Sequence, residues 1–150
     1  MISLIELEDS IKIDIPIEEI WDRFYNIELL PEIFPEIERV EVIDRENYRA
    51  YIWFKTKLGI TTLRLKASSE IIDYKENEFI ISRIKSKHIE IETEFVFTKI
   101  DNNITIIKYR LTGEAKDIIG KMLENKLRKL LINNRDKIKN SLIKILRQIQ

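Results

Sequence analysis

Of the side chains that do chemistry, this sequence offers a single histidine, His88, no cysteine, and 26 acidic residues against 26 basic ones. Without cysteine there are no disulfides, no thiolate metal sites and no cysteine nucleophile. One histidine excludes a histidine-rich metal site and a two-histidine mechanism, and a serine triad would have to be built on His88. No catalytic residue, metal site or cofactor is expected. His88 falls in the turn Lys87-His88, where an exposed ring with no orienting carboxylate is the expectation. Small and hydroxyl side chains remain: Ala50, Ala67, Ser69, Ser82 and Thr93, with Asn134 further along. Such residues can orient the polar part of a ligand, or hold one or two fixed waters.

The composition bounds what those residues can serve. At 150 residues, 44% hydrophobic and 35% charged, residues 1–150 are expected to form one domain with one core, and disorder is disfavoured. A net charge of zero argues against a nucleic-acid partner. No apolar run approaches the roughly 20 residues of a membrane span. The opening Met1-Ile2-Ser3-Leu4-Ile5-Glu6 is no secretory signal, so a soluble cytoplasmic protein is expected. Isoleucine is abundant, and Gly and Pro number three each. This suits a thermophile or an AT-rich genome equally.

The elements that must position these side chains follow from periodicity. Ile5, Leu7, Ile11, Ile13 and Ile15 alternate with Glu6, Glu8, Ser10, Lys12 and Asp14, as in a half-buried strand. Asp9 interrupts the apolar side and suggests a bulge. Pro16 opens a helix carrying Ile17, Ile20, Trp21 and Phe24. Asn26 can cap a second short helix with Leu29, Leu30, Ile33 and Phe34, ended by Pro35. From Val40 to Gly113 strand-like runs are separated by turn signals, giving six further antiparallel strands. From Asp117 the period returns to 3.6, with a stripe of Ile119, Leu123, Leu127, Leu130, Ile138, Leu142, Ile145 and Ile149. That helix would span about 33 residues and about 50 Å. The expected fold is α+β: a curved seven-stranded antiparallel sheet with two short helices after strand 1, wrapped around a long C-terminal helix.

Residues 13–41 carry a resemblance. The stretch Ile13-Asp14-Ile15-Pro16-Ile17-Glu18-Glu19-Ile20-Trp21-Asp22, followed by Leu29-Leu30-Pro31-Glu32-Ile33-Phe34-Pro35-Glu36-Ile37-Glu38-Arg39-Val40-Glu41, resembles the opening of START-related helix-grip proteins. These form the polyketide cyclase/dehydrase and lipid-transport group, and within it the chain is most similar to the branch that resembles the G subunit of carbon monoxide dehydrogenase. The element order agrees over the whole chain. It departs from the group at Asn26-Ile27-Glu28, where an aspartate is common, and at Glu36, where a glycine is common. The resemblance implies a helix-grip fold and hydrophobic-ligand binding or transport. The group shares its fold more widely than any one activity.

Strand register can be read from charge. A two-residue turn at Lys87-His88 sets Lys85 opposite Glu90, Arg83 opposite Glu92, Ser82 opposite Thr93 and Ile80 opposite Phe95. A three-residue loop Asp101-Asn102-Asn103, with Asn103 left-handed, sets Glu94 opposite Arg110 and Phe95 opposite Tyr109. The charges then form one solvated ladder. A four-residue loop from Tyr74 to Asn77 would set Ser69 opposite Ser82 and Ala67 opposite Ile84. A tight turn at Leu58-Gly59 would set Phe54 opposite Leu63, Ile52 opposite Leu65 and Ala50 opposite Ala67, with Trp53 outside beside Arg64.

The inward face thus carries a small, hydroxyl-bearing band beneath the long helix, and unfilled volume is expected there. Ser69, Ser82, Thr93 and Asn134 would orient a ligand, with Phe54, Phe95, Tyr109, Leu130 and Ile138 as its walls. Trp21 and Phe24 are read as core staples. Ile118, Ile132 and Ile143 could form a homodimer contact on the far side of the helix, and the basic run Lys126 to Lys139 a solvated face. The expected function is binding of a small hydrophobic or lipid-like molecule. The alternatives are a cyclase/dehydratase-type enzyme, for which only Asp9 offers an inward acid or base, and a protein-interaction module of the kind implied by the carbon monoxide dehydrogenase and co-chaperone relatives.

Overall fold

The alternating pattern of the N-terminal residues becomes β1 (Ser3–Ile13), an edge strand. The computed structural model describes residues 3–24, 27–29, 31, 36–133, 136, 139–140, 143–144 and 147; the side chains of 3–5, 7, 22–24, 29, 58 and 130–133 lie outside that description. After β1 come helix α1 (Ile17–Phe24) and a single 3-10 turn at Ile27–Leu29. Of the expected second short helix, the described residues show this turn and the helical Pro31; Leu30 and residues 32–35 lie outside the description. Strands β2 (Ile37–Asp44), β3 (Arg49–Leu58), β4 (Thr61–Lys75), β5 (Phe79–Lys85), β6 (Ile89–Asp101) and β7 (Ile104–Ala115) follow, then helix α2 (Ile118–Asn133). The continuous α2 is 16 residues long, and Asp136, Lys139, Asn140, Ile143, Lys144 and Arg147 are also helical. The seven antiparallel strands lie in the order β1-β7-β6-β5-β4-β3-β2.

The charge-derived register holds across β5, β6 and β7. Lys85 pairs Glu90, Arg83 pairs Glu92, Ser82 pairs Thr93, Glu94 pairs Arg110 and Phe95 pairs Tyr109. The loop after β6 differs. Asp101 pairs Ile104 around a two-residue turn, a bulge at Ile100 takes up the difference, and Asn103 is not left-handed. The expected bulge at Asp9 is also absent: β1 pairs β7 without a shift from Ser3 to Ile13.

The hairpins on the other side are displaced by two residues. Gly59, at φ 65°, and Ile60 make the β3–β4 turn, a position that suits glycine first in a two-residue hairpin. Phe54 therefore faces Leu65, Ile52 faces Ala67 and Ala50 faces Ser69. The β4–β5 loop is Glu76-Asn77-Glu78, with Asn77 left-handed at φ 63°. Ser69 consequently faces Ile84 rather than Ser82, which faces Ile71, and a bulge at Ile72 follows. Trp53 lies on the outer face as expected, but Arg39 covers its ring at 3.8 Å in place of Arg64.

The packed core occupies one end of the sheet. Ile11, Ile13, Ile15, Ile17, Ile20, Trp21, Ile80, Phe97 and Ile107 form it, all buried. Trp21 meets Phe97 edge-on at 5.8 Å, as a staple between α1 and the sheet should. The Thr105 hydroxyl, fully buried, donates to the Ile15 carbonyl at 2.9 Å and ties β7 to the β1–α1 connection.

At the opposite end α2 is seated on the β5–β6 turn. Asp117 caps it, Oδ1 accepting from the Gly120 amide at 2.8 Å. Helix α2 packs on β7, β1 and β6. The expected dimer contact does not form one outward face. Ile118 is 78% exposed, Ile143 packs inward against the core, and the Ile132 side chain lies outside the described residues.

Gly120 permits the seat. A Cβ there would overlap the His88 carbonyl oxygen and lie 3.3 Å from the Ala115 Cα. Gly120→Ala, ordinarily favourable in a helix, should instead cost about 2 kcal/mol or more of stability. Urea denaturation of wild type and variant measures this.

Candidate functional site

The paired strands define rows across the concave face. The row next to the core runs Asp9–Tyr109–Phe95–Ile80. The next runs Leu7–Leu111–Thr93–Ser82–Ile71, and the third Ile5–Gly113–Ile91–Ile84–Ser69–Ala50. Gly120 pins the helical segment beyond the third row, against Ala115 and the His88 carbonyl. Lys139 meets the first row, its Nζ 3.5 Å from Asp9 Oδ2. The hydroxyl-bearing rows lie between these two attachments.

Burial changes across the rows. Ile11, Ile107, Phe97 and Ile80 are at most 5% exposed. Phe95, Tyr109, Leu111, Thr93, Ser82 and Ile84 are only half-buried, although they line the same concave face. Phe95, Tyr109 and Ile71 pack against the edge of the core cluster without being sealed from solvent.

The expected site residues are brought together in part. Ser82 and Thr93 are cross-strand partners whose hydroxyls hydrogen-bond to each other. The Phe95 and Tyr109 rings stand 6.2 Å apart. Ser69 is buried one row away beside Ile84. Phe54 stands apart, toward the β2 edge and opposite Leu65 and Ile37. Asn134 and Ile138, and the Leu130 side chain, lie outside the described residues. Among the described residues, neither of two hollows is lined by the expected set. One, of about 430 Å³, is bounded by Asn140, Ile143, Lys144 and Arg147. The other, of about 170 Å³, lies on the outer charge ladder at Glu92, Glu94, Arg110 and Thr112.

Charged groups reach the interior, Asp9 as the sequence allowed and Glu124 as it did not suggest. Asp9 accepts a hydrogen bond from the Tyr109 hydroxyl at 3.2 Å and pairs with Lys139. Glu124, 5% exposed on α2, pairs with Arg128 at 3.2 Å. The signal for Asp9 was its place on the apolar side of β1, where unbroken pairing turns it inward. Glu124 gave a weaker signal, lying next to Leu123 at the margin of the apolar stripe. Glu36, half-buried before β2, has a carboxyl oxygen that is buried with no hydrogen-bond partner.

His88 is also corrected. Its side chain is 12% exposed, and Nδ1 lies 2.6 Å from Asp117 Oδ2. The His88 hydrogen bond, then the Gly120 amide, hold the Asp117 carboxyl below its usual 3.8. The pair belongs to the helix seat, away from the half-buried rows.

A family model for the G subunit of carbon monoxide dehydrogenase (CoxG) matches residues 10–146. The chain belongs to the CoxG family. The fold of this CoxG-family protein is similar to that of a START superfamily protein from Mycobacterium smegmatis, with a TM-score of 0.69 and 15% identity over 97% of this chain and 99% of that one. It is similar to the Zhui aromatase/cyclase from Streptomyces sp. R1128, with a TM-score of 0.65 and 12% identity over 96% and 92% of the two chains. It is also similar to norcoclaurine synthase from Thalictrum flavum, with a TM-score of 0.67 and 11% identity over 99% and 90%. No curated protein matches the sequence. Among the described residues, no helix is long and apolar enough to cross a membrane.

The Asp117 geometry has a pH consequence. Because its folded-state pKa is depressed, its contribution to stability is present above about 3.8 and is lost as pH falls through the lower folded value. Asp117→Asn keeps a capping side chain but loses the charge. It should melt below wild type at pH 7, and the gap should close in strong acid. Thermal melts across that range check this.

Proposed function

We propose that the protein binds a small hydrophobic or lipid-like molecule between its C-terminal helical segment and the concave face of the sheet. The observation that carries this reading is the half-buried state of Phe95, Tyr109, Leu111, Thr93, Ser82 and Ile84, set against the tight burial of the neighbouring core. An apolar molecule seated on those rows would remove accessible apolar surface from water, worth roughly 25 cal/mol per Å². Ser82 and Thr93, each satisfying the other, give the surface one polar point whose hydroxyls retain acceptor capacity. Membership of the CoxG family and the START-like fold support the same reading. Leu130, Asn134 and Ile138 complete the proposed wall on the helical side, and Ser69 and Phe54 extend it toward β3.

Binding is checked with N-phenyl-1-naphthylamine, a neutral dye that fluoresces in apolar sites. Wild type should bind it, and native mass spectrometry of freshly purified protein should show a retained hydrophobic passenger. Thr93→Phe, which fills the middle row, should weaken dye binding at least about tenfold while leaving the fold intact. Unchanged binding in that variant would place the dye elsewhere and overturn the reading.

A further inference from the structure

We infer that the outer face of β2, β3 and β4 is a docking surface for an acidic, carboxylate-rich protein segment. This face lies on the side of the sheet away from the proposed ligand site and does not depend on that reading. Along β3, Tyr51, Trp53, Lys55 and Lys57 share it with Arg39 of β2 and with Arg64 and Lys66 of β4. The five cations are exposed and the two rings half-buried. The charge pairing here differs from that of the rest of the sheet. Lys55 stands directly opposite Arg64, and Lys66 lies opposite Trp53, diagonal to Lys55. Like charges set opposite one another destabilise a sheet. In β5, β6 and β7, cations face carboxylates at Lys85–Glu90, Arg83–Glu92 and Glu94–Arg110. Where Glu90 faces Glu114, Arg83 and Lys116 approach Glu90 at 3.4 and 3.6 Å. On the basic face Arg64 has Glu38 at 3.6 Å. Among the described residues, Arg39, Lys55, Lys57 and Lys66 have no carboxylate partner. The acids of that face, Glu41 and Glu70, lie toward the β2–β3 turn, opposite Tyr51 and Arg49.

The rings seat two of the cations. The Arg39 guanidinium carbon lies 3.8 Å from the centre of the Trp53 ring, and Lys66 Nζ lies 3.8 Å from that of Tyr51. A cation held on a ring keeps its N–H donors and loses less freedom on meeting a carboxylate. In an extended segment, side chains on one face repeat every about 6.7 Å, which is also the spacing of Lys55 and Lys57 along β3. The same seating favours carboxylates over other polyanions. Bases stack on open aromatic faces, whereas these rings carry cations and meet edge-on at 6.1 Å and 72°. A lipid surface takes up exposed apolar side chains. The positions beside these cations are Thr62 and Ser68, and the exposed Ile60 lies beyond them in the turn.

Fluorescence anisotropy with a fluorescein-labelled peptide of alternating glutamate and serine tests this. Wild type should bind the peptide, and more weakly as salt rises. Lys55→Gln combined with Lys66→Gln should weaken binding at least about tenfold. Lys126→Gln combined with Lys129→Gln makes the same change in net charge at exposed positions of α2. It should alter binding by less than about twofold. Trp53→Thr keeps every charge but unseats Arg39, and should weaken binding about threefold. Circular dichroism confirms that each variant is folded. Equal losses in the two lysine pairs, or full binding by Trp53→Thr, would overturn the inference. So would a wild type that ignores the peptide at low salt, or one from which oligothymidylate or phosphatidylglycerol vesicles displace it more readily than unlabelled peptide does.

Discussion

The close approach of Gly120 to the His88 carbonyl fixes where α2 begins, and much of the interior follows from it. Backbone lies against backbone there, with no room for even a methyl group. Asp117 secures the same point twice, capping the helix through one oxygen and holding the His88 ring through the other. The His88 carbonyl also accepts from the Lys116 amide at 2.9 Å. With its start seated on the β5–β6 turn, the helical segment reaches the core end at Lys139 and Ile143. Between those points Phe95, Tyr109, Leu111, Thr93, Ser82 and Ile84 remain half-buried.

That arrangement divides the inner face into two environments. At one end, α1 and the inner residues of β1, β5, β6 and β7 exclude water, and even the Thr105 hydroxyl is satisfied by a carbonyl. Further along, Thr93, Ser82, Leu111 and Ile84 are only half-buried, whereas the small residues Ala50, Ala67 and Ser69 toward β3 and β4 are buried. Among the described residues, Asp9 pairs with Lys139 and the buried Glu124 with Arg128. The surface so formed is apolar with discrete polar points, which suits orientation of an amphiphile.

The contrast between the correct and the displaced hairpins shows how much register a sequence carries. In β5, β6 and β7, short turns combined with opposite charges on the outer face, Lys85 with Glu90, Arg83 with Glu92 and Glu94 with Arg110, fix the pairing, although the same register also sets Glu90 opposite Glu114. In β3 and β4 the outer face is largely basic and the inner face largely apolar. A slip of two residues there keeps every side chain on its own face, and period-two alternation cannot detect it. Turn chemistry had to decide, through the left-handed backbones at Gly59 and Asn77. Ser69 consequently lies beside Ile84 rather than Ser82, and the hydroxyl band is split between two rows.

By itself, the sequence determined the order of elements, the inward and outward faces of the strands, the pairing of β5 with β6 and of β6 with β7, and the meeting of Ser82 with Thr93 and of Phe95 with Tyr109. These follow from local periodicity and from charge matched across short turns. Tertiary structure alone decided that Asp9 would meet Lys139, that Glu124 would be buried and that His88 would find Asp117. Those contacts join elements whose relative placement depends on how a helix is seated over a curved sheet. No spacing within a single element encodes that placement, because it is set by steric fit at a few points such as Gly120.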